Sequence, residues 1–286
     1  MKFVAIDWGT SSFRAWLIEH DQISDQIDTD QGVKNFTEGA HSTYLNEVLA
    51  KWSGQCNFII AIGMVGSSIG MHETKFSAIP IDLTGVFNSL IKVPGFKPDL
   101  YIVPGVAKAG DVMRGEESQS LATGMVNGLV VLPGTHSKWV KIENGEIADF
   151  RTYLTGELFE LLRNHSTLSK ATESSAKLAA SKEFYAGLDA PVSDLTHELF
   201  TIRAKWLQGK SQEASREYLS GLLIGAEIKS AKSWIAASEV TLIASDSLSD
   251  TYANALSHFG ITSNVQSQMT LISYFAAIAK KVKAQI

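Results

Sequence analysis

The chain has one cysteine, six prolines, and no long apolar or basic run. A single thiol, Cys56, excludes an internal disulfide and fits a reducing compartment. It stands beside the apolar strand Phe58–Ile62, where a buried, inert thiol is expected. No apolar stretch reaches the roughly 20 residues that a membrane-spanning helix needs. The amino terminus runs straight into a strand, with no charged n-region, apolar h-region and cleavage site ahead of it. A cytoplasmic protein without a membrane partner is the expectation. Net charge is −5 with no Lys/Arg-rich stretch, so nucleic acid is not the expected partner. Heptads, low-complexity tracts and short repeat arrays are missing too. What remains, 286 residues at 45% hydrophobic, can bury a large core in one or two domains.

What is present is a duplicated pattern. Phe3-Val4-Ala5-Ile6-Asp7 is an apolar strand. Trp8-Gly9-Thr10-Ser11-Ser12 is a tight turn, and Phe13–Glu19 is a second strand. Leu129–Leu132, Pro133-Gly134-Thr135-His136 and Ser137–Ile142 repeat it, with Gly9-Thr10 answering Gly134-Thr135 and Ser12 answering Ser137. A turn and a third strand follow in each copy. Gly lets backbone approach a ligand closely, such a turn aims N–H groups one way, and Thr and Ser add hydroxyl donors. The combination suits phosphate. Asp7, at a strand's carboxyl end with no basic neighbour in sequence, suggests Mg²⁺. The second turn carries His136 and Lys138, cations that can meet anionic charge directly. Two such turns imply two half-molecules closing on a nucleotide polyphosphate.

The remaining segments fill in two mixed α/β lobes. A helix is expected to Trp52, capped by Ser42 or Thr43. The strand Phe58–Ile62 ends in Gly63-Met64-Val65-Gly66-Ser67, at the end where open α/β sheets place ligands; tight packing would explain the glycines equally well. Four of the six prolines (Pro80, Pro94, Pro98, Pro104) fall in or near the segment from Met71 to Pro98, read as loops with a short strand near Ala78–Ile81 and a short helix. Asp111-Val112-Met113-Arg114-Gly115-Glu116-Glu117 opens a helix, its acids favoured by the macrodipole. Thr155 caps the next helix. Further helices are expected at Ser181–Gly187, Val192–Leu207 and Gln212–Ile235. In the last, Gly221 and Gly225 share a face and favour close helix packing. The strand Glu239–Ala244, a helix from Ser249, the strand Thr262–Val265 and a helix Met269–Lys283 complete the chain.

These blocks resemble the 2-keto-3-deoxygalactonokinase family of the sugar kinase/actin superfamily. The resemblance rests on Ala5–Ser11, Gly63–Ser67, Val112–Glu117, Leu132–Val140, Asp149–Leu158 and Ser220–Glu227, in the family's order over nearly the whole chain. One block departs: Ser245-Asp246 stands where the family has Gly-Thr, which bears on nucleotide preference. The resemblance implies two ribonuclease-H-like lobes with mixed sheets and an interlobe cleft. Residues 1–127 would form a sugar- and phosphate-binding lobe. Residues 128–286 would form a nucleotide-binding lobe, the last helix packing back on the first. It also implies ATP-dependent phosphorylation of 2-dehydro-3-deoxy-D-galactonate on its C6 hydroxyl in galactonate breakdown.

Gly9, Thr10, Ser11, Gly134, Thr135, His136, Ser137 and Ser245 would then hold ATP, and Asp7 would face Mg²⁺. Lys138 would stabilise charge on the transferred group. Glu116, then Glu117, then Asp7 are the candidates for the base. Gly63, Met64, Gly66 and Ser67 would line the sugar pocket. The planar fork of Arg114 or Arg151 suits the substrate carboxylate. Another sugar-acid or pantothenate-type kinase, and a non-catalytic sugar-sensing protein on this fold, remain alternatives. The oligomer is open, a homodimer included.

Overall fold

The computed structural model describes residues 1–37, 39–234, 239–267 and 270–284, with backbone alone for Ser233, Asp246 and Ser247. The expected helix limits Ile235 and Met269, and the side chain of Asp246, lie outside the described residues. By its contacts the chain divides into two units. The first is Met1–Asn127, Ile142–Asp149 and Gln268–Ile286; the second is Gly128–Lys141 and Phe150–Ser267.

The first unit runs β1 (Lys2–Trp8), β2 (Phe13–Glu19), β3 (Gln22–Thr29), α1 (Ala40–Val48), β4 (Phe58–Gly63), β5 (Ser77–Ala78), α2 (Leu83–Asn88), β6 (Ile91–Lys92), β7 (Asp99–Ile102), β8 (Val106–Lys108), β9 (Asp111–Met113) and α3 (Glu116–Ala122). The chain continues through β10 (Gly128–Leu132), β11 (Ser137–Glu143), β12 (Glu146–Tyr153), α4 (Thr155–His165), α5 (Lys182–Asp189), α6 (Leu195–Leu207), α7 (Gln212–Trp234), β13 (Glu239–Leu242), α8 (Asp246–His258) and β14 (Thr262–Val265). The last helix, α9 (Thr270–Lys283), belongs to the first unit and packs on α3.

The two main sheets repeat one plan. The first has the order β3-β2-β1-β4-β7-β6 and the second β12-β11-β10-β13-β14. Matching β1 with β10, β2 with β11, β3 with β12, β4 with β13 and β7 with β14 superposes the orders, leaving β6 as an extra edge. β1 pairs antiparallel with β2 and parallel with β4; β10 pairs parallel with β13. Parallel pairing needs a long crossover, which α1 supplies in one unit and α4 to α7 in the other. The turns after β2 and β11 also correspond. His20 and Asp21 have φ of 54° and 61°, and Asn144 and Gly145 have 54° and 79°, the two-residue left-handed turn that matches strand twist.

Each sheet faces its own core. In the first unit Val4, Ile6 and Trp8 of β1 pack with Leu45 and Trp52. All of β1 from Phe3 to Trp8 is buried, which explains its lack of alternation. In the second unit α5 lies against α7 with glycine at the contact. A Cβ on Gly221 would stand 2.0 Å from the Phe184 carbonyl oxygen, and one on Gly225 2.6 Å from that of Leu188. The shared face of Gly221 and Gly225 is therefore a packing surface.

Three local expectations are corrected. Asp111 opens no helix: Asp111–Met113 is β9, pairing antiparallel with β8 in a third sheet, β5-β8-β9. Its hydrogen bonds to β8 outweigh the helical tendency of so short a segment. The α1 helix starts at Ala40 with Gly39 as its cap at φ 85°, so Ser42 and Thr43 lie inside it. Thr155 is the first residue of α4 and caps nothing, because its hydroxyl is taken by Glu227.

Candidate functional site

In the first unit the carboxyl ends of β1 and β4 meet the start of α3. Asp7 is buried at the end of β1. Its sequence neighbours are not basic, but register places Arg14 opposite it on β2, and Arg14 Nη2 donates to Asp7 Oδ2 at 2.6 Å. The fold thus supplies the basic partner that its sequence neighbours lack. Burial raises the Asp7 carboxyl above its usual range, Arg14 pulls it down, and the Glu116 charge pushes it up again. Gly63 crowds the same carboxylate. It has φ +87°, and a Cβ there would stand 2.7 Å from the Trp8 carbonyl oxygen and 3.3 Å from Asp7 Oδ1.

The two glutamates are not equivalent. β9 delivers Arg114-Gly115 onto the start of α3, with Gly115 at φ +104°. A Cβ on Gly115 would stand 3.2 Å from Gly63 Cα, so this loop abuts the end of β4. Glu116 Oε2 accepts from the Arg114 N–H at 3.0 Å, and Glu116 is partly exposed. Glu117 is fully buried, accepting from the Gly115 N–H at 2.7 Å and from Ser118 Oγ at 2.9 Å. Burial, then the Glu116 charge, pushes its carboxyl up to about 7. Behind it, the Tyr274 hydroxyl of α9 lies 3.0 Å from Ser118 Oγ.

Arg114 is anchored beside the Gly63–Ser67 segment. Nη1 donates to Thr74 Oγ1 at 2.7 Å and Nη2 to the Thr74 carbonyl at 3.2 Å, with the guanidinium 4.4 Å from the Phe76 ring centre. A Cβ on Gly66 would stand 2.9 Å from Arg114 Nη1. Met64–Gly66 forms a short 3-10 turn, and Ser67 Oγ donates back to the Met64 carbonyl at 2.7 Å. Arg151 belongs to the other unit, stacked 4.8 Å from the Trp234 ring. The structure therefore joins Arg114 to the glycine turn.

The turn after β1 is braced from behind. The Gly9 N–H is used within it by the Ser12 carbonyl at 2.9 Å, while Thr10 and Ser11 are exposed. The segment at Gly32 presses against it so closely that a Cβ there would stand 2.2 Å from the Thr10 carbonyl oxygen.

In the second unit, Gly134 and Thr135 border a cavity of about 770 Å³. It extends along α4, α7 and α8, past Gly156, Leu161, Arg216, Ser220 and Leu248. Gly156 is required by contact: a Cβ there would stand 2.3 Å from the Gly134 carbonyl oxygen. The Glu157 N–H donates to the Thr135 carbonyl at 2.9 Å, fixing α4 to the turn. His136 is exposed, with Nε2 2.5 Å from Glu157 Oε2. Ser137 and Lys138 instead face inward, 0% and 3% exposed, with Lys138 Nζ 3.3 Å from the His136 carbonyl. Ser245 is exposed at the start of α8 and is not among the cavity's lining residues.

One buried carboxylate ties these elements together. Glu227 of α7 accepts from Trp139 Nε1 at 2.9 Å, Thr155 Oγ1 at 2.5 Å and Tyr252 Oη at 2.9 Å. Tyr252 Oη is in turn 3.0 Å from Ser137 Oγ. Burial raises the Glu227 carboxyl, and its hydrogen bonds pull it down. Sequence reasoning assigned no role to Glu227, Arg14, Thr74 or Arg216. Only Arg14 left a signal, since counting outward from the Gly9–Ser12 turn pairs it with Asp7.

No helix among the described residues is long and apolar enough to cross a membrane. A protein-family model described as 2-keto-3-deoxy-galactonokinase matches residues 7–276. The 2-dehydro-3-deoxygalactonokinase of Escherichia coli (strain K12) is 34% identical over 269 residues, 91% of this chain and 90% of that protein. A crystal structure described as a 2-dehydro-3-deoxygalactonokinase protein from Sinorhizobium meliloti is similar at TM-score 0.89 and 31% identity, covering 98% of this chain and 99% of that one. The activator of the 2-hydroxyisocaproyl-CoA dehydratase from Clostridium difficile shares the fold alone, at TM-score 0.51 and 11% identity over 100% and 97% of the chains. The paired sheets have the fold of actin-like ATPases and sugar kinases, and on the family match and the relatives the chain is a kinase that belongs to the 2-keto-3-deoxy-galactonokinase family.

Proposed function

We propose that the protein transfers the γ-phosphate of ATP to the C6 hydroxyl of 2-dehydro-3-deoxy-D-galactonate. The observation that carries this reading, beside family membership, is the division of labour between the units. One places carboxylates beside a glycine turn at its strand ends; the other opens an elongated cavity from its own Gly-Thr turn. The first unit takes the sugar acid and the second the nucleotide.

Glu116 is the base. It is partly exposed, whereas Glu117 is enclosed and its two oxygens hold Gly115 and Ser118. Glu116 removes the C6 hydroxyl proton, the oxygen forms a bond to the γ-phosphorus, and the bond to the β–γ bridging oxygen breaks to release ADP. Glu117 supports this step by holding the Gly115 backbone. Arg114 receives the substrate carboxylate, since its fork is pre-set by Thr74 and Phe76. Gly63, Met64, Gly66 and Ser67 line the sugar pocket. Thr10 and Ser11 on one turn, and Gly134 and Thr135 on the other, meet phosphate oxygens. Lys138, buried behind the second turn, raises the positive potential there without direct contact.

Mg²⁺ is the expected companion of the nucleotide. Mg²⁺ keeps several waters and binds through one or two carboxylates plus substrate phosphates, so it needs no larger donor cluster. None of three or more donors occurs among the described residues. Asp7 fits as the residue that would hold it, with Oδ2 committed to Arg14 and Oδ1 beside Gly63. When bound, the ion supplies charge neutralisation on the phosphates.

The test is ADP release with 2-dehydro-3-deoxy-D-galactonate, its gluco epimer, neutral hexoses and pantothenate, followed by NMR location of the phosphate. Activity with a keto-deoxy acid and a C6 phosphate supports the reading. Activity only with a neutral sugar or pantothenate, or phosphate on another oxygen, overturns it.

A further inference from the structure

A row of buried side chains joins the last helix to the turn that carries Glu116. Glu117 Oε2 accepts from the Gly115 N–H at 2.7 Å and Glu117 Oε1 from Ser118 Oγ at 2.9 Å, and Ser118 Oγ lies 3.0 Å from Tyr274 Oη. Glu117 and Ser118 are fully buried and Tyr274 is 3% exposed. In such surroundings each hydrogen bond is strengthened and each missing partner is costly.

The protons give the row a direction. A serine hydroxyl has a single proton. Ser118 spends it on Glu117, so Tyr274 donates to the Ser118 oxygen. Burial, then the Glu117 charge, raises the Tyr274 hydroxyl above its usual range, and it keeps the proton it shares. Among the described residues Tyr274 Oη has no other hydrogen-bond partner. Every donor in the row is therefore used only while Glu117 is ionised. A protonated Glu117 would donate to Ser118, turn that hydroxyl toward Tyr274, and leave the tyrosine proton buried without an acceptor. Tyr274 thus favours the carboxylate, the form that accepts most strongly from the Gly115 N–H.

The far end of the row is fixed. Next to Tyr274, the Phe275 ring lies 6.3 Å from that of Trp16 on β2, and Lys280 Nζ donates to Asp21 Oδ2 at 2.8 Å. The near end needs such a hold, because Gly115 at φ +104° is a residue with wide backbone freedom. Glu116 follows it directly, and a small misplacement of a reacting group costs rate.

We propose that Tyr274 is a positioning residue for phosphoryl transfer: through Ser118 and Glu117 it fixes the Gly115 N–H and with it the placement of Glu116. It acts through these residues and not on the substrate, and it rests on the assignment of Glu116 as the base made above.

The experiment measures kcat and both KM values for Tyr274→Phe, Ser118→Ala and the double variant, with the acceptor on which the wild type releases ADP fastest. Tyr274→Phe keeps the ring and removes the hydroxyl. It should lower kcat about threefold to tenfold, the scale of one hydrogen bond, with both KM values unchanged. In the Ser118→Ala background the same substitution should add nothing, since the link is already cut. A purely structural tyrosine would lower stability and leave kcat at the wild-type value. That result overturns the proposal, as does a loss that appears in KM alone or persists in full beside Ser118→Ala. If Tyr274→Phe does not fold, Ser118→Ala carries the test: a fall in kcat of the same size supports the proposal and a wild-type kcat overturns it. Glu116→Gln, measured in parallel, separates the two levels. A wild-type rate there removes the base and this role of Tyr274 together, whereas a collapse there beside a silent Tyr274→Phe removes Tyr274 alone.

Discussion

Arg14 and Asp7 face each other across β1 and β2, with Nη2 and Oδ2 2.6 Å apart and the carboxylate buried. Removing one partner of such a pair leaves an uncompensated buried charge. Arg14→Met should lower unfolding free energy by about 3 kcal/mol. It should also move the acid-side loss of activity to higher pH, because the influence that lowers the Asp7 pKa is gone. Urea unfolding and a pH–rate profile check both; an unmoved acid limb means Asp7 ionisation is not needed for turnover.

The neighbouring glutamates should separate in kinetics. Glu116→Gln is expected to lower kcat by roughly 10²–10⁴-fold, the range of a general base, with nucleotide binding retained. Glu117→Gln should lower it much less. Steady-state rates and calorimetric ATP titration of both variants test this, and a reversed order would transfer the base to Glu117.

Glu117 also predicts a pH dependence of stability. Its carboxyl is pushed up to about 7 in the fold from 4.5, so between these values the folded state holds more protons than the unfolded one. The stability linked to this proton is fully present below about 4.5 and is lost as pH rises through 7, by up to about 3 kcal/mol. Asp7 and Glu227 shift the same way, so the diagnostic is the difference between wild type and Glu117→Gln. Unfolding free energies at pH 5, 6, 7 and 8 should show a shallower decline in the variant.

Arg114→Ala should raise the KM for the sugar acid about tenfold or more, with the KM for ATP unchanged, as for loss of a charge-assisted contact. Arg151→Ala should leave the sugar acid KM unaltered, because its guanidinium is engaged on the Trp234 ring. Initial-rate kinetics with each substrate varied decide the assignment.

Gly156→Ala places a methyl 2.3 Å from the Gly134 carbonyl oxygen. The atoms it meets in Gly134 and Thr135 are all backbone, so the turn must shift, at a cost of about 1–3 kcal/mol. The KM for ATP should rise while that for the sugar acid stays. Equal KM values for ATP would show that Gly134 does not contact the nucleotide.

The two copies of strand–turn–strand were legible because each strand is apolar enough to stand out and each turn carries glycine beside hydroxyls. The third sheet was not, since Ser77–Ala78, Val106–Lys108 and Asp111–Met113 are too short to show a period. Local signals also misled where tertiary contacts claimed the side chain. Thr155 looks like a helix cap but serves Glu227, and α1 begins at a left-handed Gly39 ahead of Ser42. In the site, the glycine turns, Asp7 and the acids at α3 were readable as types. Their inequality was not: enclosure separates Glu117 from Glu116, and unit membership separates Arg151 from Arg114. Glu227 and Arg216 sit on a long helix with partners 25 to 88 residues away, beyond any local pattern.

Because one carboxylate on α7 fastens Trp139, Thr155 and Tyr252 at once, the floor of the second unit's cavity behaves as a single casting. No one of β11, α4 or α8 can slide to accommodate a differently shaped nucleotide without releasing the others. On the proposed nucleotide reading, a change of phosphate donor is expected to come from exchanging side chains around a fixed mould, at positions such as Leu161, Ser220 and Leu248, and not from tilting a helix.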